Sequence, residues 1–407
     1  MSISKFILIF LLGISSCQAN SIFSDIDISG YAAIDLRWFL ESPRLSNQKT
    51  ESLYPSLELK PEFQYRWNNE NDSLKLTPYL RYDALDDNRQ FFDIREAFWL
   101  HRFKSTDLRI GIAEVFWGVT ESRHLVNIIN QVDSIEDVDE EDRLGQPMVN
   151  LNWFSSDWGT YEFYLLPGFR ERRFSDREGR LRLDNLPVDQ DGATYESSLK
   201  QAHVDAALRW SYILGEWDIG VSHFYGTSRE ARFEAQLNPF GPPQKLIPHY
   251  DIIHQTGIDL QWTHDSWLWK LEAINRSSNE TTFQALVGGF EYAFYGIFDS
   301  NIDLSILSEY LWDNRNQKAP LTPLDNDVFT GLRLAFNDQQ NTELLLGNII
   351  DVDNQASLIS LEASRRFMSS WKISLDSKVF LNVSNKNRAL SAMRNDSFVN
   401  FQIAYYF

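Results

Sequence analysis

The sequence predicts an all-β protein: a transmembrane, antiparallel up-and-down β-barrel of about 18 strands, with about 16 as the alternative count. Three observations predict it. Segments that alternate apolar and polar residues recur along the whole chain, the pattern of strands whose two faces meet different surroundings. The connections between these segments sort alternately into short and long, as in a barrel with short periplasmic turns and long extracellular loops. Aromatic residues make up 14% of the 407 residues, yet mean hydropathy is −0.36. A membrane barrel reconciles the two, because lipid-facing and lumen-facing residues alternate and cancel in any window. A soluble sandwich has no reason to sort its loops by length.

The elements follow in order. Met1 to Ala19 has Lys5, an apolar run from Phe6 to Ile14, then Ser15, Ser16, Cys17 and Ala19, the layout of a cleavable secretory signal over 1–19 that leaves a barrel over 20–407. The run is too short for a spanning helix, and no second stretch is long enough for one. Ile14-Ser15-Ser16-Cys17 also fits a bacterial lipobox; a barrel needs no lipid anchor, so removal of Cys17 is the expectation. The mature chain then has no cysteine and hence no disulfide, thiol catalysis or thiolate metal site.

Strands are predicted from Ile28 to Leu40, Leu53 to Trp67, Leu74 to Ala84, Phe91 to Phe103, Leu108 to Trp117, Pro147 to Phe154, Gly159 to Phe169, Ala202 to Tyr212 and Trp217 to Tyr225. The second half adds Asp251 to Thr263, Trp267 to Arg276, Phe283 to Phe294, Ile302 to Trp312, Val328 to Phe336, Glu343 to Ile350, Ser357 to Phe367, Trp371 to Val383 and Phe398 to Phe407. Alternation is clearest from Leu57 to Trp67 and from Trp371 to Val379. Tight-turn chemistry fills Asn68 to Ser73, Lys104 to Asp107, Ser155 to Trp158, His264 to Ser266 and Met368 to Ser370. The long connections are Glu41 to Ser52, Gly118 to Gln146, Arg170 to Gln201, Gly226 to Tyr250, Asp313 to Asp327 and Ser384 to Ser397.

In the last strand Val399, Phe401, Ile403, Tyr405 and Phe407 share one face and Asn400, Gln402, Ala404 and Tyr406 the other. This aromatic terminus resembles the C-terminal signature by which barrel assembly machinery recognises outer-membrane barrels. Phe407 is therefore the expected contact with that machinery, and outer-membrane lipid and lipopolysaccharide are the other expected partners. The oligomeric state is left open. A formal net charge of −19 argues against nucleic-acid binding.

With Leu57, Leu59, Phe63 and Tyr65 against lipid, Glu58, Lys60, Glu62, Gln64 and Arg66 face the lumen. The same rule sends Asp35, Arg37, Lys75, Arg81, Asp83, Arg109, Asp205, Arg209, Asp259, Gln261, Lys270, Glu272, Arg276, Arg333, Lys372 and Asp376 inward. An Arg or Lys on the lipid face near the midplane costs roughly 2–4 kcal/mol, which makes the sorting close to obligatory there. Most inward charges are expected to pair, with an unpaired minority at the constriction setting selectivity.

Phe91-Phe92-Asp93-Ile94-Arg95-Glu96-Ala97-Phe98, Asp107-Leu108-Arg109-Ile110-Gly111, Phe116-Trp117-Gly118 and Asn127-Ile128-Ile129-Asn130-Gln131-Val132-Asp133 resemble a family of porin-like outer-membrane proteins. In that family a D-L-R-E-A-Y strand is followed by an R-x-G strand, a W-G and an N-P-x-D loop. About 45 residues carry the resemblance closely, and Gln131-Val132-Asp133 stands where the family places a proline. The resemblance implies a channel or export barrel and names no substrate.

The connection from Gly118 to Gln146 has apolar residues at helical spacing between Arg123 and Asn130, which predicts a short amphipathic helix, and an acidic run from Asp133 to Asp142. Folded inward, it would narrow the channel and set its acids across from arginines of the wall in a transverse field. Candidate pore-lining residues are Arg66, Arg81, Arg95, Arg109, Arg209 and Arg333, with Asp133, Glu136, Asp137 and Asp139 of the loop. A second loop crowds Arg170, Arg172, Arg173, Arg177, Arg180 and Arg182, suited either to lipopolysaccharide phosphates or to pairing with Glu171, Asp176 and Glu178.

None of the seven histidines sits in a nucleophile motif, and the spacing of His249, Asp251 and His254 does not specify a metal site. No cofactor and no enzymatic activity are expected. The expected function is a porin-like channel for passive or semi-selective diffusion of small solutes; the competing class is a non-conducting barrel, either a binding or adhesion scaffold or an embedded hydrolase.

Overall fold

The computed structural model describes residues 25–136, 138–236, 241–385, 387 and 389–407. The expected signal segment and Asp137 lie outside them. Twenty-one strands follow in chain order: β1 (Ile26–Phe39), β2 (Leu53–Trp67), β3 (Asp72–Asp83), β4 (Phe91–Arg102), β5 (Thr106–Ala113), β6 (Gln146–Ser155), β7 (Gly159–Pro167), β8 (Thr194–Tyr195), β9 (Val204–Leu214), β10 (Trp217–Thr227) and β11 (Arg232–Ala235). The series continues with β12 (Leu246–Tyr250), β13 (Ile252–His264), β14 (Trp267–Ser277), β15 (Thr282–Phe294), β16 (Asp303–Asp313), β17 (Asn326–Ala335), β18 (Glu343–Asp351), β19 (Ser357–Phe367), β20 (Trp371–Leu381) and β21 (Phe398–Tyr406).

Eighteen of them form one antiparallel sheet in sequence order, with β7 on β9 and β10 on β13. The first strand pairs with the last, Asp35 opposite Gln402 and Leu36 opposite Phe401, so the sheet closes and has no edge. The three short strands β8, β11 and β12 make a separate sheet within the long connections. All eighteen predicted strands are present, with boundaries mostly within two residues. The fifth departs most. It leaves the wall at Ala113 instead of Trp117, although Val115 and Trp117 keep facing inward.

The two-residue period sets the faces. Along β1, Ile34, Leu36 and Trp38 are exposed on the outside, while Ala33, Asp35, Arg37 and Phe39 are buried inside. Near the short connections the chain carries stacked aromatic pairs, Tyr65 with Trp67, Trp153 with Tyr161, Trp217 with Trp262 and Trp267 with Trp269. Such rings concentrate where hydrocarbon meets water.

One irregularity is built into the wall. Thr77 lies opposite Glu96 and Pro78 opposite Ile94, so Arg95 is the extra residue of a β-bulge. The bulge lets neighbouring Arg95 and Glu96 both turn inward, Arg95 towards Asp133 and Glu96 towards Thr77 and Lys75.

Candidate functional site

The chain enters the lumen at Gly118, where φ is +146° and a Cβ would meet His124 Nδ1 at 2.8 Å and Glu272 Oε1 at 3.0 Å. From there it crosses to the far wall. Glu272 of β14 accepts hydrogen bonds from the Val119 and Thr120 amides (2.7 and 3.1 Å), the Thr120 hydroxyl (2.8 Å) and the Val126 amide (3.1 Å). Glu309 of β16 accepts from the Glu121 and Ser122 amides (2.7 and 2.8 Å) and the Ser122 hydroxyl (2.6 Å). Two buried carboxylates thus satisfy backbone donors that no secondary structure would pair.

No helix forms between Arg123 and Asn130; the segment is irregular. Its apolar spacing serves the core instead. Leu125, Val126, Ile128 and Ile129 are buried against inward residues of the wall, among them Met148, Leu166, Phe224, Ile253, Phe283 and Leu307. The loop therefore fills one side of the lumen with an apolar core, which lets wall residues there be apolar on both faces. Asn130, fully buried, ties the stem: its amide donates to the Ala113 and Leu144 carbonyls and its oxygen accepts from the Val115 amide.

The acidic half of the loop runs back past β4, β3 and β20. Asp133 pairs with Arg95 at 2.5 Å, Glu136 with Arg81 at 2.7 Å and Arg89 at 3.7 Å, and Asp139 with Lys378 at 3.1 Å. Burial opposes ionisation of Glu136, but the guanidiniums of Arg81 and Arg89 outweigh it and hold its carboxyl below the ordinary range. The expected transverse field is replaced by contact pairs. In a low-dielectric interior, opposite charges left apart would each keep their desolvation cost.

On the other side of the lumen two cavities remain. An outer cavity of about 430 Å3 lies under the long connections, lined by residues such as Phe174, Leu183, Phe233, Leu324, Ile349 and Phe380. An inner cavity of about 840 Å3 reaches towards the short turns and includes Lys60, Arg81, Arg95, Glu114, Phe116 and Lys372 in its lining. Five residues line both: Glu121, Asp139, Glu141, Leu345 and Glu362. They stand at the boundary between the two, the candidate aperture.

The predicted pore-lining residues divide accordingly. Arg81, Arg95, Arg333, Glu136 and Asp139 line the inner cavity. Arg66 sits at the short-turn rim, paired with Asp27 at 2.6 Å. Arg109 lies beside Phe98, and Arg209 is clamped on Asp259 and packed over Trp117; neither lines either of these two cavities. Asp133 is buried behind its pair with Arg95, and Asp137 lies outside the described residues. In the arginine-rich loop Arg172, Arg180 and Arg182 are buried, Arg172 on Glu140 and Arg180 on Asp396, so most of its charge is used inside the protein. Among the described residues no group of three or more metal-binding side chains converges; Asp251 is held by Arg232, and His249 contacts Thr194.

Sequence reasoning missed Glu121 and Glu362 at the aperture and the anchoring roles of Glu272 and Glu309, and it placed Glu141 in the inward acidic run without singling it out. The inward register of Glu272 was the available signal; what it would hold was not. His124 was missed as well. Burial would lower its pKa, but the carboxylates of Glu141 and Glu272, 3.0 and 3.7 Å away, outweigh it and raise it to about 9.

No protein-family model matches the chain, and no curated protein matches it in sequence. Among solved structures it is similar to Pseudomonas aeruginosa OccK2 (OpdF), with a TM-score of 0.56 at 11% identity over 94% of this chain and 97% of that one. It is also similar to Acinetobacter baumannii OccAB3, with a TM-score of 0.50 at 10% identity over 94% and 99%. At these identities the likeness is one of fold.

Proposed function

We propose that the chain is a porin-like channel of the bacterial outer membrane, with short turns on the periplasmic side, long loops outside, and the loop over residues 118–146 as its constriction. The observation that carries this reading is the unequal filling of the lumen. The loop packs an apolar core against one side of the barrel, while on the other side two cavities meet at a shared rim of charged side chains. A barrel whose task was only to display its loops could fill its whole interior as it fills this half. The apolar outer face and the aromatic pairs near the short turns support membrane insertion. Selectivity would come from the charges at the aperture, where a solute must pass within contact distance.

The test is osmotic swelling of proteoliposomes in small neutral sugars. Purified protein should accelerate swelling in proportion to its amount and less for larger sugars. Swelling at the rate of protein-free liposomes would overturn the proposal.

A further inference from the structure

Resting on the channel reading, we infer that this passage selects amphipathic organic cations, solutes with one ammonium group on an apolar body. Two independent features point there. The first is the aperture, where four of the five shared residues are carboxylates and none is basic. The cations that reach those carboxylates are divided among others. Arg333 and Lys270 each contact both Glu121 and Glu291; Lys378 contacts Asp139, Glu362 and Asp376; His124 lies between Glu141 and Glu272. Carboxylates outnumber basic side chains in the linings of both cavities.

The second feature is apolar surface on both sides of that aperture. Above it, the outer cavity has aromatic and aliphatic walls and a volume in the ordinary range for small-molecule sites. Below it, Phe116 is 57% exposed although it lies inside the barrel. Its ring stands edge-on to His124 at 4.7 Å, which places it beside Glu141. An open aromatic face next to carboxylates suits an organic ammonium, because the ring attracts the cation and the apolar body covers the ring.

Anions meet the opposite situation. Three guanidiniums of the inner cavity are engaged by carboxylates, Arg81 by Asp35, Glu58 and Glu136, Arg89 by Asp83, and Arg95 by Asp93 and Asp133. Lys60 and Lys372 lie further towards the short turns, past the aperture for a solute entering from the long-loop side.

The experiment measures zero-current potentials in planar bilayers containing the full chain. Potassium chloride first establishes conduction, and gradients of 2-phenylethylammonium chloride and of potassium phenylacetate then give the permeability of each organic ion. The expected result is a preference for 2-phenylethylammonium over phenylacetate of at least roughly tenfold, since reversing the sign of one water-screened contact at about 4 Å is worth that much. Phe116→Leu, which keeps an apolar side chain and loses the ring face, should lower the permeability of 2-phenylethylammonium relative to potassium about two- to fivefold. Potassium conduction with equal or inverted preference between the two organic ions would overturn the inference and leave the channel reading standing. Absence of potassium conduction would overturn the channel reading and the inference with it.

Discussion

Replacing Glu272 by alanine should release the loop from the far wall while leaving the barrel intact. The magnitude follows from the contacts. Glu272 accepts three backbone amides and one hydroxyl and lies 3.7 Å from His124. Each hydrogen bond to a charged group contributes about 1.5–3 kcal/mol, and amides left buried without an acceptor add a desolvation cost. Because the bonds share one acceptor they do not sum fully, and a net loss of about 4 kcal/mol in the docking of the loop is the working figure. That raises the open population about a thousandfold. The barrel wall loses nothing comparable, since β14 keeps its ladders with β13 and β15. The assay is limited trypsin digestion of the folded protein. Arg123, partly buried in the docked loop, should become more readily cleaved in Glu272→Ala while the barrel keeps its heat-modifiable gel mobility. Glu272→Gln, which retains an acceptor, should give an intermediate rate. Equal protection of Arg123 in wild type and Glu272→Ala would refute the idea that this carboxylate holds the loop.

The same loop should respond to alkali. His124 carries a pKa raised from about 6.5 to about 9, so its protonated form contributes up to about 3 kcal/mol, fully present below pH ~6.5 and lost as pH rises through ~9. Trypsin sensitivity of the loop should therefore rise between pH 7 and 10, and His124→Gln should flatten that rise; a wild-type profile that is already flat would count against the bridge. On the outer face, Ile34→Arg puts a charge against hydrocarbon and should destabilise the barrel in lipid bilayers by roughly 2–4 kcal/mol in a denaturant titration, an effect absent if this face meets water. Removal of Phe407 should slow assembly into the outer membrane in cells without changing the conductance of refolded protein; unchanged assembly would remove the terminal residue as the recognition element.

The strands were legible because a period of two survives wherever one face meets lipid. The end of β5 was misplaced for a local reason: Val115 and Trp117 go on facing inward after the chain has left the wall at Ala113, so the pattern outlasts the hydrogen bonds. In the half of the barrel that packs the loop, part of the inner face is apolar. Along β15, Phe283, Ala285 and Val287 point inward and are buried, so the strand's inner face is apolar until Glu291. The loop's own apolar residues imitate a helix for the same reason: Leu125, Val126, Ile128 and Ile129 face a curved apolar wall, and burial sets their spacing without a helical backbone.

The motifs fared better in position than in role. Arg95 and Asp133, from two separate motifs, do meet, but as a buried pair at a bulge. The aperture was not legible because its members come from the loop, β18 and β19, and only the path of the loop across the barrel brings them together.

The central claim is that the loop is a constriction across a conducting barrel, and single-channel recording tests it most directly. Wild-type protein should give discrete current steps, and deletion of residues 134–142 should enlarge them. Arg81 then loses its partner Glu136 while Asp133 remains for Arg95, the widened lumen hydrates Arg81, and the eighteen-stranded wall still closes. Silent bilayers at high protein load, or steps of unchanged size after the deletion, would contradict the account.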